Sequence, residues 1–156
     1  MYSYHRQHKY PALVKVCLRL SLLVCVALFS TISSAADGFF VVAYKDSTLQ
    51  SVTKEQLANV FLDKLGSIDG VDVEPIDIEA WTPVRLAFYQ TVVKKDAAQL
   101  NAFWARRLFT GRGRPPRALI NDRAVLQAIR ANHNMIGYIS RDVFDPAIVK
   151  VIYTSE

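Results

Sequence analysis

At 156 residues the chain has room for one domain behind a leader, and excludes a pair of lobes closing on a cleft. Its formal charge of +5 comes mostly from the first 36 residues, which hold 4 of the 19 Lys and Arg and none of the 14 acids. Residues 37–156 carry 15 against 14, a net of +1, so overall basicity gives no reason to expect nucleic acid. Both cysteines, Cys17 and Cys25, also fall in the leading stretch, which excludes disulfides, Cys-ligated zinc and a Cys nucleophile from residues 37–156.

Residues 1–36 have the three parts of a secretory signal peptide. Arg6, Lys9, Lys15 and Arg19 form a basic start, Leu20 to Phe29 is apolar, and Ser34-Ala35-Ala36 offers small residues for cleavage. A retained anchor is the rival reading. Leu20 to Ile32 spans 13 residues, however, against the roughly 20 that a spanning helix needs. Val24 stands before Cys25, where a lipoprotein motif wants a small residue, so lipidation is set aside. The expected product is an exported domain over residues 37–156.

Phe39 to Tyr44 is apolar throughout, as a strand covered on both faces would be. After a polar connection, Thr53 and Gln56 make a capping box, with Val52 and Leu57 placed to staple it. Leu57, Val60 and Phe61 form the inward face of this helix, which ends near Lys64; Gly66 and Gly70 mark the next loop. Val73 to Ile78 reads as a second strand, and Pro75 suggests that it starts near a sheet edge. Thr82 and Pro83, cap and first residue, open a helix with Leu86, Tyr89 and Val93 on one face and Phe88 and Val92 beside it.

Lys94-Lys95 and Asp96 separate that helix from the next. There Leu100, Phe103, Trp104 and Leu108 predict one buried stripe, Gly111 a left-handed stop, and Pro115-Pro116 a bar to resumption. Asn121 caps a last helix with Val125, Leu126 and Ile129 inward. Met135 to Ile139 and Ile148 to Tyr153 read as closing strands. Strands alternating with helices predict an α/β fold.

Enzyme constellations fail by absence. His133 is the only histidine beyond the leader and sits at a helix end beside two asparagines, which suits a solvated or helix-dipole role better than a triad. One His without Cys gives no zinc cluster, and no phosphate loop of P-loop or dinucleotide type appears. Asp69, Asp72, Glu74, Asp77 and Glu79 cluster around a turn and strand; they read as a solvated loop and outward-facing strand positions, without calcium-loop spacing. Arg106, Arg107, Arg112, Arg114 and Arg117 form a basic patch that reads either as ordinary solvated arginines or as a contact for an anion, an acidic partner or a phosphate backbone. Thr82 to Arg85 is the sharper anion candidate. A helix start exposes N–H groups, Thr82 adds a hydroxyl, and Arg85 supplies a fork of donors one turn in.

An ordered set of segments resembles the phosphate ABC transporter substrate-binding (PstS-like) proteins, particularly their small single-lobe relatives. It comprises Thr53-Lys54-Glu55-Gln56-Leu57 with Val60-Phe61-Leu62 and Lys64, then Arg85 with Phe88-Tyr89. Phe103-Trp104, Leu108-Phe109-Thr110-Gly111, Gly113, Pro115-Pro116 and Ile136-Gly137-Tyr138 complete it. The resemblance implies a single periplasmic-binding-protein-like lobe, a mixed sheet flanked by helices, exported and without catalytic activity, cofactor or metal. It also implies phosphate or a similar oxyanion as ligand, at Thr82 and Arg85, and a membrane transporter as partner. The chain departs from the family where the ligand loop, similar to Arg-x-x-x-Ser-Gly-Thr, becomes Ile78-Glu79-Ala80-Trp81-Thr82-Pro83-Val84; only the hydroxyl survives, as Thr82. The alternative reading is a lobe that has lost its solute. It would dock an envelope protein through Trp81 and the turn bearing Arg112, Arg114 and Arg117.

Overall fold

The computed structural model describes residues 38–155; the predicted signal peptide lies outside them. A five-stranded sheet runs in the order β5-β4-β6-β1-β7. Its strands are β1 (Phe39–Tyr44), β4 (Glu74–Ile78), β5 (Arg117–Leu119), β6 (Met135–Ser140) and β7 (Val149–Thr154). β4 is parallel to both β5 and β6, whereas β1 is antiparallel to β6 and β7, so the sheet is mixed. The helices are α1 (Lys54–Phe61), α2 (Pro83–Phe88), α3 (Ala97–Phe109) and α4 (Asp122–Ala131). None of the helices among the described residues is long and apolar enough to cross a membrane.

Successive residues of a strand face opposite ways, and β6 uses this to carry helices on both faces. At Gly137 an added Cβ would collide with Val125 Cγ1 of α4, so this residue must lack a side chain for α4 to lie close. Its neighbour Tyr138 faces the other layer, stacked on Phe88 of α2 with centroids 4.2 Å apart and rings 12° from parallel. Phe61 of α1 packs on Phe88 at 4.6 Å and Phe39 of β1 at 5.7 Å, completing an aromatic nucleus.

The Thr53–Gln56 capping box forms as expected, with both Val52 and Leu57 buried beside it. Asp96 and Gln99 make a second capping box at the start of α3. Gly111 takes the left-handed conformation (φ 64°) just past the end of α3.

Three sequence expectations are corrected. Leu108 is exposed, because α3 ends one residue later and its last turn projects beyond the layer that covers Leu100 and Trp104. Leu86 is also exposed; Val84 and Phe88 face inward instead. The expectation for Pro75 holds at the start of the strand: β4 lies inside the sheet, but β5 pairs only from Ile76 onward, leaving Glu74 and Pro75 open on one side. Arg117, expected in the basic turn, instead begins β5. The structure adds two features that the sequence does not announce: a hairpin of β2 (Ser67–Ile68) and β3 (Val71–Asp72), turned by Asp69 and Gly70 with positive φ, and a π-helical turn over Tyr89–Val93.

Candidate functional site

The centre of polar chemistry lies where β4 gives way to α2. Asp77, expected on the solvent side with the other acids, is 4 % exposed. From Ile76 to Ile78 β4 is covered on both faces, so alternation there does not carry Asp77 to water. The carboxylate is satisfied by a ring of donors. Oδ1 accepts from the Ile78 N–H (2.8 Å), Arg85 Nε (3.2 Å) and the Tyr138 hydroxyl; Oδ2 accepts from Arg85 Nη2 (2.8 Å) and the Tyr89 hydroxyl (2.9 Å).

Arg85 is thus held by a two-toothed ion pair, and its Nη1 donates to the Glu79 carbonyl at 3.1 Å. The guanidinium lies over the Trp81 ring, 4.1 Å from its centroid, a cation–π contact that fixes its plane. Burial lowers the Arg85 pKa, but the hydrogen bond and negative charge of Asp77 outweigh it, so the group sits above its ordinary value. Tyr89 and Tyr138 are pushed upward, first by burial and then by the Asp77 charge, and both stay neutral and donate. A guanidinium carries five N–H groups; three of them serve the protein here, leaving two unspent.

Thr82 caps α2, its hydroxyl accepting from the Arg85 N–H at 3.4 Å. Thr82 and Arg85 therefore do come together at a strand-to-helix junction, with Pro83 as the first helical residue. The structure adds Asp77, Tyr89 and Tyr138, which sequence reasoning missed. The available signal is an aspartate between two isoleucines in an apolar strand, eight residues before an arginine.

The residues offered as a partner surface divide. Trp81 lies beyond the C-terminal end of β4, while the turn bearing Arg112 and Arg114 leads into the N-terminal end of the parallel β5, at Arg117. These are opposite ends of neighbouring strands, so the four residues do not share one edge. The turn itself is tied down: Arg107 Nη2 donates to the Asp63 and Arg112 carbonyls (2.9 and 2.5 Å), and the Arg114 N–H to Asp63 Oδ2 (3.2 Å). Arg112 lines a concavity with Lys94 and Lys95, whereas Arg114 and Arg117 line a different one with Asp63 and Glu74. Exposed His133 stacks on Tyr44 at 3.5 Å and 7°, a packing role.

No family model and no curated protein matches the sequence. Among solved structures, the fold is similar to a Clostridium perfringens protein, assigned as a phosphate ABC transporter substrate-binding protein, with bound phosphate. The TM-score is 0.56 at 19 % identity, over 74 % of this chain and 44 % of that one. It is also similar to an ABC-type phosphate transport receptor from Vibrio cholerae, with a TM-score of 0.55 at 16 % identity, over 74 % of this chain and 45 % of that one. This chain thus spans less than half the length of either. At such identities the likeness establishes the architecture: an α/β lobe of the substrate-binding-protein kind, with a five-stranded mixed sheet flanked by helices.

Proposed function

We propose that the domain is an exported, non-enzymatic solute-binding lobe that takes phosphate or a similar oxyanion weakly at the Thr82–Arg85 junction, in the service of ABC-type uptake. The observation that carries this reading is the preset guanidinium. Asp77 and Trp81 hold Arg85 in place, two of its N–H groups remain unspent, and the Thr82 hydroxyl stands at the same helix start. Preorganised donors lose little entropy on meeting an anion. The fold's likeness to phosphate-binding proteins and the signal-peptide pattern of residues 1–36 support the same assignment.

Titration calorimetry of the exported protein with phosphate and with sulfate tests it. Measurable affinity is expected, weakened in Arg85→Gln and in Thr82→Val, the latter leaving the Asp77 ion pair intact. No heat from the native protein at millimolar anion would overturn the ligand.

A second reading, docking to an envelope protein, is favoured by the apolar side chains left in water. Phe109 is 93 % exposed and lies within the Arg106–Arg112 segment. Retention of the same envelope proteins by native protein and by a form with Arg112, Arg114 and Arg117 replaced would count against the basic turn as the docking site.

A further inference from the structure

A separate concavity of about 530 Å³ lies between the turn that precedes α3 and the far end of that helix. Five cations line it, Lys94, Lys95, Arg106, Arg107 and Arg112, and no carboxylate does. That is a strong local excess in a stretch whose net charge is +1. Among the described residues none of Lys94, Lys95, Arg106 and Arg112 has a carboxylate within 4.0 Å; Arg107 alone reaches Asp63, at 3.5 Å.

The cations come from three stretches, the end of the π-helical turn, the last turn of α3 and the turn that follows it, brought together by backbone features unrelated to one another. Lys94 closes the π-helical turn in the left-handed region (φ 58°), which bends Lys95 toward α3. Arg106 and Arg107 occupy the last turn of α3, where the helix dipole alone would favour positive charge. The dipole does not account for Lys94 and Lys95. The Phe103 ring has two cations near it, Lys95 Nζ and Arg107 Cζ, each 5.6 Å from its centroid. Arg107 Nε is buried without an acceptor.

We infer that this concavity binds a compact anion carrying several phosphate groups, independently of the Thr82–Arg85 junction. A single phosphate brings a charge of about −2 at neutral pH, too little to balance the four cations that have no carboxylate partner. The volume falls within the roughly 300–1,000 Å³ typical of small-molecule sites. Either a free oligophosphate or phosphates clustered on a lipid headgroup supplies this chemistry.

Two arms test the inference on the exported protein, with tripolyphosphate as the free probe and phosphatidylcholine vesicles with and without cardiolipin as the lipid probe. Binding in either arm, stronger than to orthophosphate, weakening with salt, and reduced at least about tenfold in Lys95→Gln/Arg106→Gln, supports it; the responding arm identifies the source. Protection of the Lys94 and Lys95 amines from acetylation by the bound probe gives a readout that needs no variant. Failure of both probes overturns the inference. Binding that survives Lys95→Gln/Arg106→Gln but disappears in Arg85→Gln does so too, while leaving the junction reading standing.

Discussion

Asp77 and Arg85 face each other at 3.2 and 2.8 Å through both teeth of the carboxylate and guanidinium, with side chains only 5 % and 12 % exposed. The pair ties an interior strand to the helix that comes after it, and the two tyrosine hydroxyls close the ring. Asp77→Ala leaves a nearly buried guanidinium and two buried hydroxyls without their acceptor. It is expected to cost about 3–5 kcal/mol, measured by denaturant unfolding. A loss below about 1 kcal/mol would mean that solvent already screens the pair.

The two tyrosines set an alkaline limit on stability. Burial and then the Asp77 charge raise both pKa values in the folded state, while in the unfolded chain tyrosine releases its proton near about pH 10. The folded form therefore holds protons that the unfolded form gives up. This contribution is complete below about pH 10 and is lost as pH rises beyond it. Melting temperature followed from about pH 8 to 11 should fall above 10, less steeply in Tyr138→Phe. Equal slopes in the two proteins would remove Tyr138 from the account.

Gly137 is the point at which α4 meets the sheet. Gly137→Ala drives a methyl group into Val125 Cγ1 and is expected to destabilise by about 1–3 kcal/mol. Val125→Ala in the same chain should recover part of that loss, so the double variant costs less than the sum of the single ones. Strict additivity in denaturant titrations would show that the helix moves aside freely.

Leu100 and Leu108 share a stripe by spacing but not by environment. Leu100→Ala is expected to cost about 2–5 kcal/mol, whereas Leu108→Ser should stay within about 0.5 kcal/mol of the native protein. Thermal unfolding of the two variants separates them, and a large loss at Leu108 would mean that something covers the end of α3 in solution.

These cases show what the sequence could and could not convey. Caps are local, so the Thr53–Gln56 box is legible from four residues; the Asp96–Gln99 box is equally local, although Asp96 reads first as a break between helices. The apolar run of β1 announces a strand covered on both faces, and it lies between β6 and β7. The expectation for Leu108 fails because periodicity gives a direction around a helix axis but not how far along that axis the covering layer extends. β5 escapes because three residues carry no period, and its pairing with β4 is set by tertiary contact. Asp77 is the instructive miss at the candidate site. In composition it belongs with four acidic neighbours, and only the third dimension brings Arg85, Tyr89 and Tyr138 around it. Thr82 and Arg85, three apart at a helix start, need nothing beyond helical geometry to be placed together.

Ser155 closes the fold on its first strand: the Phe39 N–H donates to Ser155 Oγ at 2.7 Å, and the Ser155 N–H donates to the Phe39 carbonyl at 3.0 Å. Head and tail of the described fold are therefore neighbours, and residues 39–155 trace a near-closed circuit. Such a circuit can be spliced there by a short bridge and cut instead at the exposed Asp69–Gly70 bend without parting any of the five strands from its mates. The order in which the elements are synthesised is thus separable from the arrangement they reach.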